Sequence, residues 1–258
     1  MMRFTLRLSY NGAPFCGWQL QKTGTSVQSE LQKTLSMLLG CDISVTGAGR
    51  TDAGVNAVNY IAHFDVPDGI QADPEFLKYK LNAILPKAIA IHEIAPTDGD
   101  FHARFSAVSR EYRYFLHRKK DPFMENFSYF CVYPLDIDRM NRAAAMLIGE
   151  HDFKCFEKTG GNNLTSLCTV YEAKWEYYSP AHVSLMGYTA ESGDYLVFTI
   201  RANRFLRNMV RAIVGSLIDV GRGKRETEWF GNLIMNGSRS DAGESVPGKA
   251  LFLSEVSY

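Results

Sequence analysis

From Arg3 to Tyr10 apolar and polar residues alternate without a break, Phe4, Leu6, Leu8 and Tyr10 on one face against Arg3, Thr5, Arg7 and Ser9 on the other. A period of two sends successive side chains to opposite faces, so this run reads as a half-buried strand, stopped by Asn11-Gly12. Ser26 is a suitable N-cap for a helix carrying Val27, Leu31, Leu35, Leu38 and Leu39, closed by Gly40. Short strands follow near Ile43–Val45 and Ala57–Phe64. Asp73-Pro74 opens a second helix with Leu77, Leu81 and Ile84, which ends before Pro86, and Ala88–Ile94 is again strand-like. The order is βαββαβ.

The remaining chain repeats this order. Val108–Leu116 is a strand, Asp138 stands where it would cap a helix ending at Gly149, and Val170–Tyr177 and Tyr195–Arg201 are strands. Helices near Phe205–Val220 and Glu226–Asn236 precede a closing strand, Leu251–Val256. The polar connection Gly160-Gly161-Asn162-Asn163 reads as a mobile loop. Two such units predict an α+β protein of two ferredoxin-like halves, 1–106 and 107–258, each with a largely antiparallel sheet covered by helices on one face.

Composition removes several classes. A 258-residue chain with 46% hydrophobic and 22% charged residues fits a soluble globular protein. No apolar run reaches the length of a membrane span, and Met1-Met2-Arg3-Phe4 lacks a signal-peptide layout. The five cysteines, Cys16, Cys41, Cys131, Cys155 and Cys168, are dispersed with no C-x-x-C pair. This points to reduced thiols in a cytoplasm and away from a disulfide frame or a metal site. His63, His102 and His151 are not at metal-ligand spacing and read as structural. Net charge is zero, yet basic residues gather at Arg110 and Arg113, at Arg118-Lys119-Lys120, at Arg201, Arg204, Arg207 and Arg211, and at Arg222, Lys224 and Arg225. Local clusters of this kind suggest a polarised surface.

The stretch carrying the chemistry is Gly47-Ala48-Gly49-Arg50-Thr51-Asp52-Ala53-Gly54-Val55. Glycines allow positive φ and close approach of a ligand to the backbone. Arg50 and Asp52, two apart, leave an extended loop on the same side. Asp52 is either a carboxylate nucleophile or the ordinary Asx residue of a turn. Arg50 is either a phosphate contact or the ion-pair partner that keeps Asp52 charged. In the helix expected near Phe205–Val220, Arg204, Arg207 and Arg211 would share one face, and Gly215 would leave room for something to approach.

Further segments accompany this stretch: Tyr10-Asn11-Gly12, Phe15-Cys16-Gly17-Trp18-Gln19, Phe101-His102-Ala103-Arg104-Phe105-Ser106-Ala107, Arg110-Glu111-Tyr112-Arg113-Tyr114, Met209-Val210-Arg211 with Ile213-Val214-Gly215-Ser216-Leu217, and Ala250-Leu251-Phe252-Leu253. In that order they resemble the TruA-type tRNA pseudouridine synthases through most of the chain. The resemblance implies two ferredoxin-like halves joined into a continuous sheet with a central basic cleft. It implies Asp52 as nucleophile, Tyr112 against the target base, Arg211 reaching the catalytic aspartate and Leu251 packing on the base. By the same resemblance the substrates are uridines 38, 39 and 40 of the tRNA anticodon arm, the enzyme is a homodimer, and no cofactor is needed. Asn56 stands where the family commonly has histidine, and it cannot carry a proton near neutral pH. Two rivals to this reading are an RNA N-glycosidase, which would release free uracil, and a non-catalytic RNA-binding protein.

Overall fold

A computed structural model of the chain describes residues 1–158, 160, 164–191 and 193–258. Residues 161–163 of the expected mobile loop lie outside the described residues. In chain order the elements are β1 (Met2–Tyr10), α1 (Val27–Leu39), β2 (Val45–Gly47), β3 (Asn56–Val66), α2 (Pro74–Ile84), β4 (Ile89–Thr97) and β5 (Ser109–His117). There follow β6 (Tyr129–Phe130), α3 (Ile137–Ala145), β7 (Gly149–Asp152), β8 (Leu167–Tyr177), the short α4 (Ala181–Leu185), β9 (Tyr195–Ala202), α5 (Met209–Gly221), α6 (Thr227–Asn236) and β10 (Leu251–Ser257). The class is α+β. Two compact units are formed, Met1–Arg110 with Phe252–Tyr258, and Glu111–Leu251.

In the first unit the βαββαβ order closes into a sheet in which β1 lies antiparallel between β3 and β4, and β2 pairs with the far edge of β3. Phe4 lies opposite Phe64, and their rings stack with centroids 5.5 Å apart. The alternation of β1 is realised: Phe4, Leu6, Leu8 and Tyr10 are buried. Each fully buried side chain of this size contributes roughly 1.5–3 kcal/mol. Val27, Leu31 and Leu35 of α1 and Leu77 and Leu81 of α2 are also buried. Ser26 accepts from the Ser29 amide and Gly40 closes α1 in the left-handed conformation, while Asp73 accepts from the Glu75 and Phe76 amides ahead of Pro74.

Phe252 pairs with Asn56 and Leu253 with Ala57 in parallel register, so β10 packs with the first unit although it ends the chain. Near the middle of the chain the two units meet in sequence between Arg110 and Glu111.

In the second unit the sheet runs β5-β9-β8-β7, with β8 antiparallel to both its neighbours. Trp175 and Phe198 face each other across β8 and β9, with centroids 5.1 Å apart. Helix α3 packs on α5, α6 and β8. Its cap is Asp136, which accepts from the Arg139 amide at 2.9 Å, and the expected cap Asp138 falls in the first turn. Helix α5 begins at Met209, four residues later than expected, because Asn208 takes a left-handed conformation that a continuing helix cannot contain. Arg204 and Arg207 therefore lie before the helix and share no helical face with Arg211. From Ala212 to Gly221 every residue of α5 is buried.

Candidate active site

Most of the motifs of the first unit meet at the loop that carries Asp52. The loop leaves β2, turns, and re-enters the sheet as β3. The Ala48 amide donates to the Ile61 carbonyl at 2.9 Å, and the Tyr60 hydroxyl donates to the Gly49 carbonyl. The Tyr60 ring stacks on Trp18 at 4.1 Å and 27°, and the Tyr10 ring tilts against both. The hydroxyls of Tyr10 and Thr51 are 2.9 Å apart and buried. The Trp18 amide donates to the Thr51 carbonyl at 3.2 Å, and the Val55 amide donates to the Asp52 carbonyl at 3.1 Å, closing the turn. Gly17 has φ 96°, and a side chain there would run into the Thr51 carbonyl. Only glycine allows the Phe15–Gln19 segment to lie this close.

Two further segments fasten the same loop. Arg110 Nη2 donates to the Ala48 carbonyl at 3.0 Å and the Arg104 carbonyl at 2.6 Å, and Nη1 donates to the Ala107 carbonyl at 3.0 Å. This arginine, grouped by sequence with a basic patch, binds backbone carbonyls instead. Asn56 is buried, and its Oδ1 accepts from the Gly12 amide at 2.9 Å. The position where the family commonly has histidine thus ties Tyr10-Asn11-Gly12 to the start of β3. His63 Nδ1 accepts from the Ala103 amide at 3.1 Å. Burial, with Arg3 and His102 adding to it, pushes the His63 pKa down to about 4, so the ring is neutral as that bond requires.

Asp52 is half-buried at the tip of this loop and Arg50 is exposed. Among the described residues Arg50 makes no ion pair, with Asp52 or any other carboxylate.

The other candidates lie in the second unit. Tyr112 is buried on β5, edge-on to Phe205 with centroids 5.0 Å apart at 85°. Tyr114, two residues on, is a core residue whose hydroxyl donates to the Pro247 carbonyl at 3.2 Å, and burial raises its pKa well above the ordinary phenol range. Arg211 stands in the first turn of α5. Its Nε donates to the Val246 carbonyl at 2.7 Å, and the Val246 amide returns a bond to the Arg211 carbonyl at 3.3 Å. What approaches at Gly215 is the chain itself: a side chain there would collide with the Glu244 carbonyl. The Gly243–Val246 segment therefore crosses α5 directly. Leu251 is buried where β10 begins.

Several supporting residues had no signal of their own in the sequence. Tyr60, Phe205, Asn208 and Ser245 carry no motif, and their partners are distant in the chain. Tyr10 and Thr51 lay inside quoted motifs, but a hydroxyl pair spanning 41 residues is invisible to spacing. Among the described residues there is no group of three or more His, Cys, Asp or Glu side chains placed to hold a metal, and no helix is long and apolar enough to cross a membrane.

Comparison with known proteins identifies the family. The model of the tRNA pseudouridine synthase family matches residues 143–258. Over 258 residues the chain is 45% identical to tRNA pseudouridine synthase A of Parabacteroides distasonis, covering 100% of this chain and 96% of that relative. It is 43% identical to the protein of that name in Porphyromonas gingivalis, covering 100% of this chain and 98% of the relative. With that of Halalkalibacterium halodurans it shares 38% identity over 97% of this chain and 90% of the relative. This chain belongs to the tRNA pseudouridine synthase family, whose reaction is an isomerisation.

Proposed function

We propose that this chain isomerises uridine to pseudouridine in tRNA, at positions 38, 39 and 40 of the anticodon stem and loop, with Asp52 as the nucleophile. The observation that carries this reading is the convergence of dispersed segments of the first unit on one loop, which holds a half-buried carboxylate. The reaction breaks the N1–C1′ bond and forms a C5–C1′ bond, while C5 gives up a proton and N1 gains one. No electrons are exchanged and no group is imported, so the chemistry needs a carboxylate and a shaped site rather than a cofactor. Tyr112 offers an aromatic surface to the base, a contact worth about 1–3 kcal/mol when stacked. Leu251 packs against the base, Arg50 neutralises a phosphate, and Arg211 supplies positive charge to the reacting site. The enzyme works as a homodimer in the cytoplasm, with the anticodon arm in a basic cleft.

Asp52→Asn should abolish pseudouridine formation in purified tRNA while leaving tRNA affinity within about threefold, because phosphate contacts dispersed over the surface carry binding. Turnover near that of the unaltered protein would refute the assignment of Asp52. Free uracil among the products would favour the glycosidase reading, and tRNA binding without any product from the unaltered protein would favour the non-catalytic one.

A further inference from the structure

The start of α5 is built around one backbone exception. Asn208 has φ 65° and ψ 2°, and among the described residues it is the only non-glycine with positive φ. The left-handed region costs most L-residues roughly 1–2 kcal/mol, and asparagine is one of the few that enter it routinely. Its side chain does not cap the helix. Instead Nδ2 donates to Ser245 Oγ at 2.6 Å, and Arg239 Nη2 donates to the same oxygen at 2.8 Å. The next residue, Val246, exchanges two bonds with Arg211: its carbonyl accepts from Nε at 2.7 Å and its amide donates to the Arg211 carbonyl at 3.3 Å. Asn208 therefore touches both halves of this clasp. Its backbone immediately precedes the first turn of α5, three residues before Arg211. Its side chain, together with Arg239, holds Ser245, the neighbour of the residue whose carbonyl accepts from the Arg211 guanidinium.

We propose that Asn208, acting with Ser245, is a positioning residue that sets the orientation of Arg211 for the isomerisation. The inference rests on the reading of Arg211 as part of the reacting site. The competing account is that Asn208 only supplies a turn, in which case any residue content at positive φ would serve. Glycine separates the two, since it enters the left-handed region freely but has no amide to bond Ser245.

The test is steady-state turnover of purified variants on tRNA, with kcat and KM measured separately. Asn208→Gly and Ser245→Ala should each lower kcat about 10-fold with KM changed less than about 2-fold, and Asn208→Ala, which also strains the backbone, should lower kcat toward 100-fold, as small misplacements of a reacting group do. If Asn208→Ala does not fold, the glycine and Ser245 variants carry the test. Because the effect runs through Arg211, adding Asn208→Gly to Arg211→Ala should lower kcat no further. Asn208→Gly with unaltered kcat would overturn the proposal, as would an equal fold-loss in both backgrounds, which a merely structural role would produce. Arg211→Ala with unaltered kcat would defeat the reading of Arg211 itself and this inference with it.

Discussion

The backbone around Asp52 and the side chain of Arg211 are fastened by different kinds of contact. Around Asp52 the carboxylate is short, so fixing the backbone nearly fixes the group. Four bonds fasten the loop's main chain or Thr51, next to Asp52: Tyr60 to Gly49, Trp18 to Thr51, Arg110 to Ala48, Tyr10 to the Thr51 hydroxyl. Arg211 has a long side chain, and fixing its backbone leaves several rotatable bonds open. There a bond lands on the side chain itself, at Nε. Fixing the backbone restricts a short side chain strongly, whereas a long one keeps rotamer freedom unless a bond falls along its length.

Gly17→Ala should have the largest effect. A left-handed φ and a collision with the Thr51 carbonyl leave alanine no place unless the loop moves. Turnover should fall about 100-fold or more as Asp52 is displaced, and the melting temperature should drop as well. A variant with full turnover would mean that the loop backbone does not set the carboxylate.

Arg211→Lys probes the other side. It keeps the charge but has no Nε–H donor for the Val246 carbonyl, so kcat should fall roughly 10-fold while tRNA affinity stays near its starting value. Equal kcat for lysine would show that charge alone matters and that the clasp is incidental.

A smaller effect is expected from Tyr10→Phe, which removes one hydroxyl from a buried pair and little volume. Losing a hydrogen bond of this kind costs about 1 kcal/mol, or about fivefold in turnover if it is expressed in the placement of Thr51-Asp52. Thermal melting should distinguish this from a loss spread over the whole unit, which would lower the melting temperature and leave kcat unchanged.

The smallest effect is one of pH on the first unit. His63 has its pKa pushed down to about 4 by burial, against roughly 6.5 in an unfolded chain. A lowered histidine pKa favours the folded state when the ring is neutral, so its contribution is complete above about pH 6.5 and is lost as pH falls toward 4. Asp65, held low by its bonds to Arg3, acts only at the acid end of this window. Melting temperature should therefore decline between pH 7 and pH 5 in the unaltered protein and decline less in His63→Gln. Parallel curves for the two proteins would remove His63 as the cause.

The first unit was legible almost element by element, because its signals are local. An alternation of period two in β1, a serine before α1, and Asp73-Pro74 before α2 each act within a few residues, and the structure follows them. The family motifs were equally plain, although the residues within them did not say what they touch. What the sequence left open is non-local. Asn208 takes a left-handed backbone that delays the start of α5, and its side-chain amide meets Ser245, 37 residues away. Gly215 is small because Glu244 crosses it. The closing strand joins the first unit because Phe252 and Leu253 pair with Asn56 and Ala57, nearly 200 positions earlier. Propensity and periodicity are properties of neighbouring residues. A hydrogen bond between distant segments exists only once the chain has closed the loop between them, so only the tertiary structure decides it.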